Sequence, residues 1–153
     1  MRSMITISVA VATSLGLAGC ERWALDRQME DLCKKDGGVK VYEKVTLPAN
    51  EFNALGTEAA AAKSDEDFYG SNFRYLSKRE ILVGKNAKAG TGEGQLARLH
   101  WAIYRRSDGH LLGEQTEYRR NSGDLFTFGF QPSSASCPHV DRDVAQMIFV
   151  KGE

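Results

Sequence analysis

The feature that most constrains the fold is a turn. Leu96 to Arg106 and Leu111 to Arg120 are two long stretches rich in strand-forming residues, and Ser107-Asp108-Gly109 lies between them. Asp favours tight turns, and Gly109 supplies the positive φ that a hairpin turn needs. The pattern predicts two antiparallel neighbours joined by a short loop. It leaves their register open, because two-residue and three-residue loops bring different residues face to face.

The flanking segments extend this frame. Trp23 to Lys35 reads as a helix with Leu25, Met29, Leu32 and Cys33 on one face. Asp36-Gly37-Gly38 ends it, and Lys34 and Lys35 suit the negative end of its dipole. Val39 to Thr46 alternates and is β-branched, which predicts a strand, stopped by Leu47-Pro48. Asn50 to Leu55 predicts a short helix with Gly56 behind it. Thr57 to Asp67 reads either as a short exposed helix or as a loop. Phe73 to Gly84 predicts a strand, and Lys85 to Gln95, with Gly90, Gly92 and Gly94, a loop. Leu125 to Phe130 predicts a further strand and Gln131 to Pro138 a Ser-rich loop. Asp141 to Phe149 predicts a terminal helix capped by Asp141, with Val144, Met147 and Ile148 on one face. Hairpins without β-α-β alternation imply an α+β class: an N-terminal helix packed on an antiparallel sheet of about four to five strands, with a short C-terminal helix.

Composition adds bounds. The chain has 153 residues, 42% hydrophobic and 26% charged, with zero formal net charge. That is the balance of an ordinary globular domain. It gives no long-range attraction to nucleic acid, so no nucleic-acid partner is expected.

The N-terminus is different in kind. Arg2 precedes Met4 to Ala18, an uncharged apolar run too short to span a bilayer, which takes about 20 apolar residues. Small residues follow, as in an export signal. Leu17-Ala18-Gly19-Cys20 resembles the lipobox of bacterial lipoprotein precursors. The resemblance implies a signal peptide over residues 1–19 and thioether lipidation of Cys20. It also implies cleavage before that residue and acylation of the new amino group, typically with palmitate. The remainder, 20–153, is then a single periplasm-facing domain. One acyl chain holds a protein only marginally, whereas two or three make dissociation negligible. Glu21 follows the Cys in place of the Asp that usually retains such proteins in the inner membrane, which favours the periplasmic face of the outer membrane.

With Cys20 consumed by lipid and the domain exported to an oxidising compartment, Cys33 and Cys137 are the remaining thiols. We expect a Cys33–Cys137 disulfide. A redox or metal role is the alternative, but no C-x-x-C is present and Cys137-x-His139 is sparse. A helix beginning near Trp23 also lies close to the lipid, since three extended residues reach only about 10 Å. Trp23 is expected in the core; the alternative is a place at the lipid interface.

Residues that could carry chemistry are few. His100, His110 and His139 are the only histidines. His139-Val140-Asp141-Arg142-Asp143 offers three donors at alternate positions, but in a loop entering a helix they diverge, so no metal site and no cofactor is expected. Ser133, Ser134 and Ser136 lie near His139 without a G-x-S-x-G elbow. Glu114, Glu117 and Asp124 have no telling spacing. Gly90-Thr91-Gly92-Glu93-Gly94 lacks the spacing of a phosphate loop. Arg105-Arg106 and Arg119-Arg120 could form a basic cluster, but neighbouring Glu114 and Glu117 suggest a solvated sheet face. No catalytic residue is assigned.

One further resemblance covers most of the chain. Leu32 to Glu43, Ser107-Asp108-Gly109, Leu112-Gly113-Glu114 and Pro132-Ser133-Ser134-Ala135-Ser136-Cys137-Pro138 are together similar to small uncharacterised proteobacterial lipoproteins. That resemblance implies no activity. The expected function is a lipid-anchored envelope lipoprotein acting as a binding or interaction module in preference to an enzyme, whose partner is an envelope protein, cell-wall material or a small ligand. The rivals are a small hydrolase using the Ser133–His139 loop and a purely structural envelope protein.

Overall fold

The computed structural model describes residues 21–61, 65–85, 93–123 and 133–152, with backbone alone over 56–61 and at 65. Cys20, the leader, Gly90 and Gly92, Asp124 and the strand expected over Leu125 to Phe130 lie outside the described residues.

The fold is α+β. A helix over residues 21–36 (α1) precedes strands β1 (Gly38–Val41) and β2 (Val45–Leu47), helix α2 (Ala49–Ala61) and a 3-10 turn (Asp65–Asp67). Three 11-residue strands follow, β3 (Phe73–Val83), β4 (Gln95–Arg105) and β5 (Leu111–Asn121). Strand β6 (Ser134–Cys137), helix α3 (Val144–Ile148) and strand β7 (Phe149–Lys151) complete the chain. The main sheet is antiparallel with order β1-β5-β4-β3, and β6 also pairs with β5. Among the described residues no helix is long and apolar enough to cross a membrane.

The predicted hairpin is present. Arg105 N–H donates to the His110 carbonyl at 2.8 Å, and Gly109 turns the chain at φ +72°.

The chain divides into two compact units. One comprises the chain up to Lys35, Ile81–Ala97 and Tyr118–Cys137; the other comprises Asp36–Glu80, Arg98–Glu117 and the chain from Pro138.

In the first unit, α1 buries Leu25 and Met29 against Leu96 and Tyr118, with Leu32, Leu82 and Val83 around them. These are the positions that the helical spacing places on one face. The Cys33–Cys137 disulfide, between residues 104 positions apart, ties α1 to β6. Arg120 is the largest fully buried side chain, 1% exposed. It donates to the Asp26 carboxylate, to the Ser122 carbonyl and to Ser133 Oγ, the last at 2.9 Å. The expectation of a solvated arginine therefore fails here: a buried guanidinium needs all its donors met, and this one meets a carboxylate on α1 and oxygens in the turns beside β5.

In the second unit, α3 lies on the sheet. Gly113 of β5 permits the approach, since a Cβ there would stand 2.9 Å from Ile148 Cδ1 and 2.8 Å from the Lys40 carbonyl. Val144 N–H donates to Gln115 Oε1 at 3.0 Å, fixing the helix start from beneath. Ile103, Leu112, Ile148 and Phe149 form the centre, joined by Leu47 and Phe73.

Several boundaries differ from the sequence reading. The strand expected over Val39 to Thr46 is two strands. The Tyr42 and Glu43 N–H groups both donate to the Leu112 carbonyl, at 2.8 and 3.1 Å, so the ladder bulges and ends. β2 then leaves the main sheet and pairs parallel with β7, Val45 opposite Phe149. Helix α2 continues through Gly56. The cost of an interior glycine, about 1 kcal/mol, is offset by Phe52 and Leu55 packing on the core. The Ser-rich segment holds strand β6, with Cys137 opposite Tyr118. Helix α3 is five residues long and is capped by Asp143, not Asp141: the Asp143 carboxylate accepts from Gln146 N–H at 2.9 Å. Val144 and Ile148 are buried as expected, Ala145 joins them, and Met147 points outward.

Candidate functional site

A cavity of about 250 Å³ opens in the second unit. Its walls come from separate elements. Phe52 and Leu55 project from α2, Phe68 and Tyr69 from the turn behind the 3-10 helix, and Phe149 from β7. Ala145 and Gln146 of α3 close one side, with the Asp143 carboxylate at the rim.

Aromatic packing holds these walls. Tyr69 meets Tyr75 edge-on, with ring centroids 5.4 Å apart, and lies 5.6 Å from Phe149. Phe149 in turn meets Phe73 at 4.8 Å. Such edge-to-face pairs are favoured by the ring quadrupoles and fix the ring planes. Phe68 sits 5.0 Å from Tyr69 and remains 37% exposed, so it forms part of the mouth. The Tyr69 phenol is held far above its ordinary range, first by burial and then by the Asp143 carboxylate and Tyr75, so it stays a protonated donor at neutral pH. A mostly apolar concavity with a few polar groups at its edge is the usual form of a small-ligand site. This one is smaller than the ~300–1,000 Å³ that encloses a drug-sized ligand, and suits a single ring or a short aliphatic segment.

Apart from Asp143 at the rim, the residues singled out from sequence fall elsewhere. His100 lies in a polar network with Glu114: its Nε2 is 3.7 Å from the Glu114 carboxylate, and its Nδ1 is 3.2 Å from Thr116 Oγ1. Tyr42 OH donates to Glu114 at 2.7 Å and Lys40 Nζ approaches it at 3.5 Å. Burial pushes the imidazole below its ordinary value while Glu114 pulls it back up. The Tyr42 hydrogen bond holds the Glu114 carboxyl below its own. Hydroxyl, imidazole and carboxylate thus stand in relay order. However, Thr116 is only 5% exposed, so its hydroxyl has little access to a substrate carbonyl. The network crosslinks β1, β4 and β5.

His110 approaches Glu43 at 3.5 Å beside the hairpin, and His139 is exposed in the loop before α3. Among the described residues no three His, Cys, Asp or Glu side chains converge as metal ligands. Ser133 Oγ accepts from Arg120 at 2.9 Å and so belongs to the buried arginine network. Ser134 and Ser136 lie on β6 opposite Asn121 and Arg119. The arginines are engaged locally: Arg105 with Glu43 and Asp108, Arg106 with Asp67 and the Phe73 carbonyl, and Arg120 in the buried network above. Trp23, expected in the core, is 64% exposed.

Of the cavity residues only Asp143 was singled out from sequence, and there as a possible metal donor. The close run of Phe68, Tyr69, Phe73 and Tyr75 was the available signal, but aromatic runs usually mean core, and the facing wall comes from α2 and β7. No protein-family model, curated protein or solved structure matches the chain.

Proposed function

We propose that the chain is a lipid-anchored envelope lipoprotein whose domain acts as a binding module, taking a small apolar or aromatic group into the cavity walled by Phe52, Leu55, Phe68, Tyr69 and Phe149. The cavity carries the binding half of this reading: it is apolar, open to solvent, and has polar groups only at its rim. The resemblance of Leu17-Ala18-Gly19-Cys20 to a lipobox supports the anchored half and an envelope location, with the periplasmic face of the outer membrane favoured.

The test is a fragment screen by NMR on the isotopically labelled domain. Single-ring and short-chain fragments are expected to shift resonances of Phe52, Leu55 and Phe68 together. Gln146→Trp, a substitution at an exposed rim position, fills the mouth and is expected to abolish those shifts while leaving the spectrum folded. Fragments that move none of the wall residues, or that bind Gln146→Trp equally well, would refute the assignment.

A further inference from the structure

Trp23 is the most exposed large apolar side chain described, 64% accessible, on a helix whose other face is fully packed. Only two residues separate it from Cys20, so a lipid on that cysteine keeps the ring within about 10 Å of its own attachment point. Arg27, one turn further, places its guanidinium 5.2 Å from the Trp23 ring centroid. Among the described residues Arg27 has no carboxylate partner; the ring is its one contact. Around a helix of 3.6 residues per turn, Arg27 and Lys34 lie within about 40° of Trp23, opposite the buried Leu25 and Met29.

We propose that the outer face of the first two turns of α1 is a lipid-contacting surface. There the Trp23 indole sits at the headgroup level of the bilayer, and Arg27 above it pairs with a lipid phosphate. This inference rests on the anchoring at Cys20. Indole is suited to that depth because its ring is apolar and its N–H still reaches water or a carbonyl. A guanidinium stacked on the ring keeps its N–H edges free for phosphate oxygens. Glu30 and Asp31 share the outer face one turn later, and Asp31 pairs with Lys34 at 3.9 Å, so the attraction belongs to the N-terminal end of α1. The helix therefore meets the membrane by its first turns and leads away from it, which makes the acyl chains and Trp23 a two-point attachment.

Trp23 and Trp101 are the only tryptophans, which makes the test direct. The full lipidated chain and its Trp23→Phe variant are reconstituted in phosphatidylethanolamine–phosphatidylglycerol vesicles containing lipids brominated near the headgroup. Wild type is expected to show emission shifted to shorter wavelength and strong quenching, and Trp23→Phe, emitting from Trp101 alone, little of either. Arg27→Gln in the wild-type background is expected to weaken the quenching, most clearly where phosphatidylglycerol is abundant. A vesicle-bound, acylated chain whose quenching is the same with and without Trp23 overturns the surface and leaves the anchor standing. A chain whose mass carries no acyl group at Cys20 overturns both.

Discussion

Replacing Arg120 by Met removes the one guanidinium that is fully enclosed among the described residues. Four acceptors lose a partner: the Asp26 carboxylate, the Ser122 and Ser133 carbonyls and Ser133 Oγ. Breaking a buried ion pair from one side typically costs ~3–5 kcal/mol, because the other charge is left unpaired in a poor solvent. Two features lower that ceiling here. Asp26 is 30% exposed and has Arg22 at 3.8 Å, so it keeps water and a second cation. The Ser133 carbonyl keeps the Ser122 N–H at 2.8 Å. The Ser122 carbonyl loses the Arg120 guanidinium, and an orphaned buried acceptor costs ~1–3 kcal/mol. We expect Arg120→Met to lose about 3 kcal/mol in total, read as a lower urea midpoint at unchanged slope. Adding Asp26→Leu should recover at least half of that loss, because the second charge no longer needs a partner. A single variant within about 1 kcal/mol of wild type, below the range for a broken buried pair, would refute the view that this network holds α1 to the strands.

Three further outcomes follow from particular residues. Substituting both Cys33 and Cys137 with Ser frees a loop of about a hundred residues in the unfolded chain, and should lower stability by roughly 4–5 kcal/mol at most; an unchanged melting temperature under reducing conditions would count against it. Ser122 holds φ +63° and its buried Oγ has no hydrogen-bond partner among the described residues, so Ser122→Gly should stabilise by about 1 kcal/mol, checked by thermal unfolding. Glu114→Gln removes the group that pulls the His100 imidazole upward, so its NMR titration midpoint should fall further below the ordinary value of about 6.5; a rise would contradict the geometry. The sign for stability follows. A depressed imidazole favours the neutral form in the fold, so that contribution is full above about pH 6.5 and is lost as the pH falls towards the folded value. The depressed Glu114 carboxyl acts at lower pH in the same direction, its contribution being lost as the pH falls through its folded value.

What could be read from the chain alone was local and periodic. Leu25, Met29 and Leu32 share a helical face whatever that face packs against. Asp108 and Gly109 specify a turn through their own backbone preferences. With Cys20 set aside as the expected lipid site, Cys33 and Cys137 allow one pairing, and the structure joins them.

The tertiary structure decided whatever depends on a distant partner. Arg120 looked like any charged residue on an exposed strand until Asp26 and Ser133 were seen to enclose it. The segment from Val39 to Thr46 has the composition of one strand, and only the shared Leu112 carbonyl divides it. Trp23 and Phe149 are both large and apolar, yet one faces outward and the other closes a cavity. The reason is the same in each case. Propensity and periodicity act over one or two turns of chain, whereas burial, hydrogen-bond satisfaction and cavity shape are set by residues that only folding brings together.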